Sequence, residues 1–167
     1  MSTIHDDLCR ALLTVSAHEL FAAYNVPSAD AEPVPADATG LCGVLGFTGG
    51  TLSGSVVITA TDAALVASNP LGDGPSRDWI AELTNQVVGR FKNALLRRGV
   101  DVGMSVPVVL RAVRLVPVPN RSIQPVSIEV GGGLFCLWLD LEYAATFVLG
   151  EAVTMEAAGF EGDTFLF

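Results

Sequence analysis

The chain has 167 residues, of which half are hydrophobic, and its 18 acids against 9 lysines and arginines give a net charge of −9. With a mean hydropathy of +0.50, disorder as the main state is excluded, and the length suits one domain over residues 1–167 with a core that needs no disulfide or metal staples. The acidic balance argues against nucleic-acid and membrane-surface partners; the most apolar run, Leu134 to Leu139, is far short of the roughly 20 residues of a membrane span.

Ile4 to Tyr24 reads as a first helix. Leu8, Leu12, Val15, Leu20 and Phe21 recur at near-helical spacing, with Asp6 and Asp7 in the first turn. Asn25 to Thr39, with Pro27, Pro33 and Pro35, reads as a loop. GLCGVLGF and SGSVVITA then form a hairpin across Thr48-Gly49-Gly50-Thr51. Thr61 caps a short helix over Asp62 to Ser68, which Pro70 closes. After the loop Leu71 to Pro75, Ser76 caps the longest helix, Arg77 to Arg98, and Gly99 stops it. Strands follow near Met104 to Val109 and Ala112 to Val118, the latter interrupted by Pro117 and Pro119. A last hairpin pairs Val126–Val130 with Leu134–Glu142 across Gly131-Gly132-Gly133, its second strand central to the sheet. Ala144 to Phe167 reads as strand or loop. The expected fold is α+β, an antiparallel sheet with two long helices packed on one face.

Cys9, Cys42 and Cys136 are odd in number and scattered among apolar residues, as reduced core thiols of a cytoplasmic protein are. No apolar leader stands at the N-terminus, and the sequon at Asn120 therefore carries no weight. Common catalytic patterns fail. Gly49-x4-Gly54 has Ser55 where a phosphate loop needs lysine. His5 and His18, the only histidines, have no ligand partners at metal spacing, so no metal site is expected.

The informative segment is DWIAELTNQVVGRFKNALLRRG. At about 100° per residue, Ile80, Leu83, Val87, Phe91 and Ala94 form a core stripe flanked by Trp79 and Leu95. Opposite them, within roughly 60°, lie Asp78, Glu82, Asn85 and Gly89. Mid-helix glycine costs about 1 kcal/mol relative to alanine. On an exposed face that cost makes sense where something must approach the backbone closely. The plainer reading is a solvated face with Asp78 complementing the helix dipole. Five of the nine bases, Arg77, Arg90, Lys92, Arg97 and Arg98, also lie in the expected helix Arg77 to Arg98, against two acids. An otherwise acidic protein thus has one basic element that could face an acidic partner.

Asp78-x3-Glu82-x2-Asn85 resembles the D/S-x3-E-x2-N signature of the CheC/CheX/FliY phosphatases. The flanks agree. Gly89 falls where that family's helix core has glycine, Gly40 to Ile58 resembles the early hairpin of CheX, and Val106-Pro107-Val108-Val109 resembles the strand after the catalytic helix. The similarity spans residues 4–142, and residues 143–167 match nothing placed. CheC-type members carry a second motif on the first helix. Here Glu19 has Val15 and Ala22 at the companion positions, so a single motif points to the CheX type.

The resemblance implies a phosphatase acting on the aspartyl phosphate of a phosphorylated CheY-like response regulator. Asn85 would orient the attacking water, and Glu82 would pair with the receiver's active-site lysine. Asp78, Gly89 and Lys92 would contribute to partner binding. It implies no cofactor on this chain, because Mg²⁺ belongs to the receiver, and it suggests a homodimer formed through strands. The alternative is a non-catalytic receiver-binding or assembly module on the same fold, as in flagellar switch components.

Overall fold

The computed structural model describes residues 4–33, 38–72, 74, 76–115, 118 and 124–153. The expected turn residues Asp73 and Pro75, the prolines Pro35, Pro117 and Pro119, the sequon at Asn120 and the tail 154–167 lie outside them.

The first helical pattern yields α1 (Ile4–Ala23). It ends in a left-handed residue, Asn25 at φ 57°. There Val26 N–H donates to Phe21 O and Asn25 N–H to Ala22 O, the paired bonds of a Schellman stop. A three-residue strand, β1 (Ala29–Ala31), occupies what the sequence suggested was loop. The hairpin is β2 (Ala38–Gly49) and β3 (Leu52–Ala60). Thr61 caps α2 (Asp62–Ser68), its hydroxyl accepting from Ala64 N. The long helix is α3 (Ser76–Leu96), and the chain leaves it through Gly99 at φ 82°.

Beyond α3 the structure corrects the expected strand over Met104 to Val109. Two strands stand there, β4 (Val102–Met104) and β5 (Val108–Leu115). They lie end to end along β2, which pairs Phe47–Gly49 with β4 and Ala38–Val44 with β5. The break falls at Ser105-Val106-Pro107. Pro107 has no N–H for the ladder, and it biases the backbone of Val106. β6 (Val126–Val130) and β7 (Gly133–Tyr143) turn through Gly131 and Gly132, both at positive φ, as a two-residue hairpin requires.

All pairings are antiparallel, in the order β1-β6-β7-β3-β2-β4 with β5 also on β2. β7 is therefore an inner strand, as its apolar sequence suggested. Leu41, Leu45 and Phe47 of β2 share one sheet face with Val56 and Ile58 of β3 and with Phe135, Leu137, Leu139 and Leu141 of β7, and all are buried. The two long helices pack on that face. Phe21 of α1 meets Phe135 at 5.2 Å, and Phe91 of α3 meets Phe47 at 5.8 Å, ring centre to ring centre. The segment after β7 is irregular and returns toward the end of α3, with Gly150 N–H bonded to Arg98 O and Phe147 buried.

One glycine sets how closely α3 approaches the sheet. A β-carbon at Gly43 would collide with the Thr84 hydroxyl. Thr84 is fully buried and turns that hydroxyl back to Ile80 O at 2.7 Å. The inner face of α3 is thereby seated on β2, and the opposite face points away from the sheet.

Candidate active site

Every residue of the expected α3 core stripe is buried: Trp79, Ile80, Leu83, Val87, Phe91, Ala94 and Leu95. The polar strip lies opposite. Asp78, Glu82 and Asn85 are exposed, whereas Gly89 and Lys92 are half-buried. Asp78, Ala81, Glu82 and Asn85 form one wall of an open groove of about 400 Å³, and Ser105, Val106 and Pro107 form the other. The break between β4 and β5 is thus the facing wall of the strip. It is anchored by Ser105 N–H to Gly46 O at 2.9 Å and by Gly46 N–H to Ser105 Oγ at 3.0 Å. Gly89 and Lys92 continue the strip toward the C-terminal end of α3 and do not line the groove.

Asn85 forms no side-chain hydrogen bond among the described residues, so both its amide donors and its carbonyl acceptor face solvent. Glu82 is held. Gln86, one turn further on, donates its amide N–H to the Glu82 carboxylate. Gln86 Nε2 also donates to the Tyr24 hydroxyl at 2.8 Å. A β-carbon built on Gly89 would meet nothing within 4 Å. No packing partner therefore explains glycine there.

Gln86 and Tyr24 escaped the sequence reading. Gln86 stands four residues after Glu82, a spacing that brings helical side chains together, and that signal was present. Tyr24 is 62 residues from Gln86, and nothing local connects them. The wall at Ser105 was hidden inside a supposed continuous strand.

Among the described residues, no three His, Cys, Asp or Glu side chains gather as metal ligands would, and no helix is long and apolar enough to cross a membrane.

The sequence profile of the family described as chemotaxis phosphatase CheX matches residues 41–129, more than half of the chain and all of α3. The chain belongs to the CheX family of chemotaxis phosphatases. No curated protein matches it in sequence. Solved structures share the fold. CheX from Vibrio vulnificus superposes with a TM-score of 0.70 at 22% identity, covering 80% of this chain and 96% of that one. A chain of the CheX–CheY–BeF₃–Mg²⁺ complex from Borrelia burgdorferi gives 0.56 at 13% identity, over 79% and 96%. FliY from Thermotoga maritima gives 0.56 at 14%, over 84% and 91%. The α+β sheet with helices on one face is therefore the architecture of this family.

Proposed function

We propose that this family member accelerates hydrolysis of the aspartyl phosphate on a CheY-like response regulator, with α3 laid against the receiver's active site. The observation that carries the reading is the pairing of Glu82 and Asn85 on the exposed face of α3, beside an open groove, with the Asn85 carboxamide uncommitted among the described residues.

The chemistry asks little of the chain. Water attacks phosphorus in line, the bond from phosphorus to the aspartyl oxygen breaks, and inorganic phosphate and a free carboxylate result. On this reading the receiver's own Mg²⁺ would stabilise charge on the phosphoryl oxygens, and no cofactor is asked of this chain. What slow self-hydrolysis lacks is an ordered nucleophile. A carboxamide is too weak a base to take the proton, but it can accept from and donate to a water. Fixing that water in line is worth several kcal/mol, comparable to the role of glutamine in GTPases. Glu82 supplies a carboxylate for the receiver's lysine, a charge-assisted contact that sets the register of Asn85. Asp78, Gly89 and Lys92 complete the docking surface.

The CheX–CheY complex from Borrelia burgdorferi supports a partner of this kind. A cytoplasmic location follows from such a partner. Homodimerisation through strands has a candidate edge in β5, which pairs only with β2 among the described residues and exposes Val108 and Leu110.

The test is a panel of phosphorylated receivers, each followed for phosphate release with and without the protein. At least one receiver is expected to lose phosphate faster, and Asn85→Ala to remove the acceleration while still binding the beryllofluoride-loaded receiver. Binding without acceleration by the native chain would instead establish the non-catalytic assembly module.

A further inference from the structure

We infer that Tyr24 and Gln86 are positioning residues that hold the Glu82 carboxylate where it meets the receiver; the inference rests on the docking role of Glu82 proposed above. A Glu–Gln pair four residues apart on a helix is a weak and common contact. Here it has a third member from the C-terminal stop of another helix, itself packed against the core.

Tyr24 closes α1 at its Schellman stop, so its backbone is set by Asn25 and Val26. Its ring stands edge-on to Trp79 with centres 5.4 Å apart. Trp79 is buried and donates from its indole nitrogen to Ser68 Oγ at 2.8 Å. The Tyr24 hydroxyl is thus delivered to a fixed point beside α3, where it accepts from Gln86 Nε2 at 2.8 Å and donates to Gln86 Oε1 at 3.1 Å. The remaining amide hydrogen of Gln86 goes to Glu82. A carboxylate only accepts, so the orientation of the amide follows from the chemistry. The chain of contacts runs from Ser68 in the core to Glu82 on the surface.

An unsupported glutamate on an exposed helix samples several rotamers and must be ordered when it docks. Gln86 orders it beforehand. The carboxylate retains accepting positions for an incoming ammonium, because one N–H donor leaves most of its lone pairs free. Preorganisation of this kind strengthens binding by reducing the ordering that association requires. It leaves the water held by Asn85 untouched.

The experiment measures kcat and KM for a phosphorylated receiver, together with affinity for the beryllofluoride-loaded receiver. The variants are Gln86→Ala, Gln86→Glu and Tyr24→Phe, each also made in a Glu82→Ala background. Gln86→Ala and Tyr24→Phe should raise KM about fivefold, the effect of one ordinary hydrogen bond, with kcat and melting temperature unchanged. Gln86→Glu, which puts a like charge beside Glu82, should raise it further. In the Glu82→Ala background none of the three should matter, because each acts through Glu82. Equal effects in both backgrounds, or no effect in either, would overturn the positioning role. A silent Glu82→Ala would instead overturn the docking role itself, so the two failures are distinguishable.

Discussion

The two long helices lie against each other, yet they use polar side chains in opposite ways. On α1 several of them turn inward or toward neighbouring elements. Asp6 is buried and accepts from the Tyr143 hydroxyl at 2.7 Å. Ser16 bonds back to Leu12 O. His18 is bracketed by Ser28 at 2.7 Å and Asp30 at 2.8 Å. On α3 the core stripe is apolar apart from Thr84, and the polar groups are displayed. A buried polar group must find its partner inside the protein. A displayed one with none among the described residues, such as Asn85, is available to another molecule. The face of α1 carrying Val15, Glu19 and Ala22 is also exposed, but it offers no amide. Exposure alone does not make a site.

The sharpest way to break this contrast is to exchange the loss. Asn85→Ala should reduce receiver dephosphorylation by about two orders of magnitude or more, with melting temperature unchanged, whereas Glu19→Ala on α1 should leave the rate as it is. Equal rates for the two variants in a phosphate-release assay would remove the functional distinction between the helices.

The inward-facing helix makes the complementary prediction. Tyr143→Phe removes a donor from buried Asp6 and should cost about 1–3 kcal/mol of stability, read by denaturant unfolding, while the dephosphorylation rate stays the same. The same cluster gives α1 a pH dependence. Burial pushes the Cys9 thiol from 9.0 up to about 11. The Tyr143 hydroxyl is raised too, first by burial and then by its bond to Asp6. Both groups are neutral in the folded state where the unfolded chain would begin to ionise. The Cys9 contribution is full below pH 9 and is lost as pH rises toward 11, and that of Tyr143 begins to be lost only above pH 10. Unfolding midpoints should therefore fall across that window, and less steeply in Cys9→Ala. A flat profile would show that the cluster is open to solvent.

The sequence revealed α3 because its pattern is long and periodic and Gly99 follows it; Ser76, expected as the cap, is the first residue of the helix itself. It revealed the β6–β7 turn because Gly131 and Gly132 suit positive φ. β1 stayed hidden, since three residues between Pro27 and Pro33 show no alternation. The division of β4 from β5 depended on Ser105 pairing with Gly46 of β2 and on Pro107 having no N–H to donate, and the first of these is settled only by β2. The strip of Asp78, Glu82 and Asn85 was legible from helical geometry alone. The Tyr24–Gln86 support was not, because the contact joins distant parts of the chain and exists only once α1 and α3 are packed.

The smallest expected effect tests how far the displayed face extends. Gly89 sits at the centre of the polar arc, and a β-carbon there meets open space. Its backbone needs no special dihedral, since it is absent from the positive-φ glycines. Gly89→Ala should therefore stabilise the free protein by about 0.4–1 kcal/mol, through helix propensity and a less flexible unfolded chain. Gly89→Gln should also fold. If the receiver comes down onto the helix backbone at this point, both variants should slow dephosphorylation, glutamine more than alanine, because their added atoms occupy the contact surface. A variant that gains stability and keeps full activity would end the docking surface at Asn85. Loss of stability in Gly89→Ala would mean that the glycine is packed in solution, and α3 would then resemble α1 more than its exposed strip suggests.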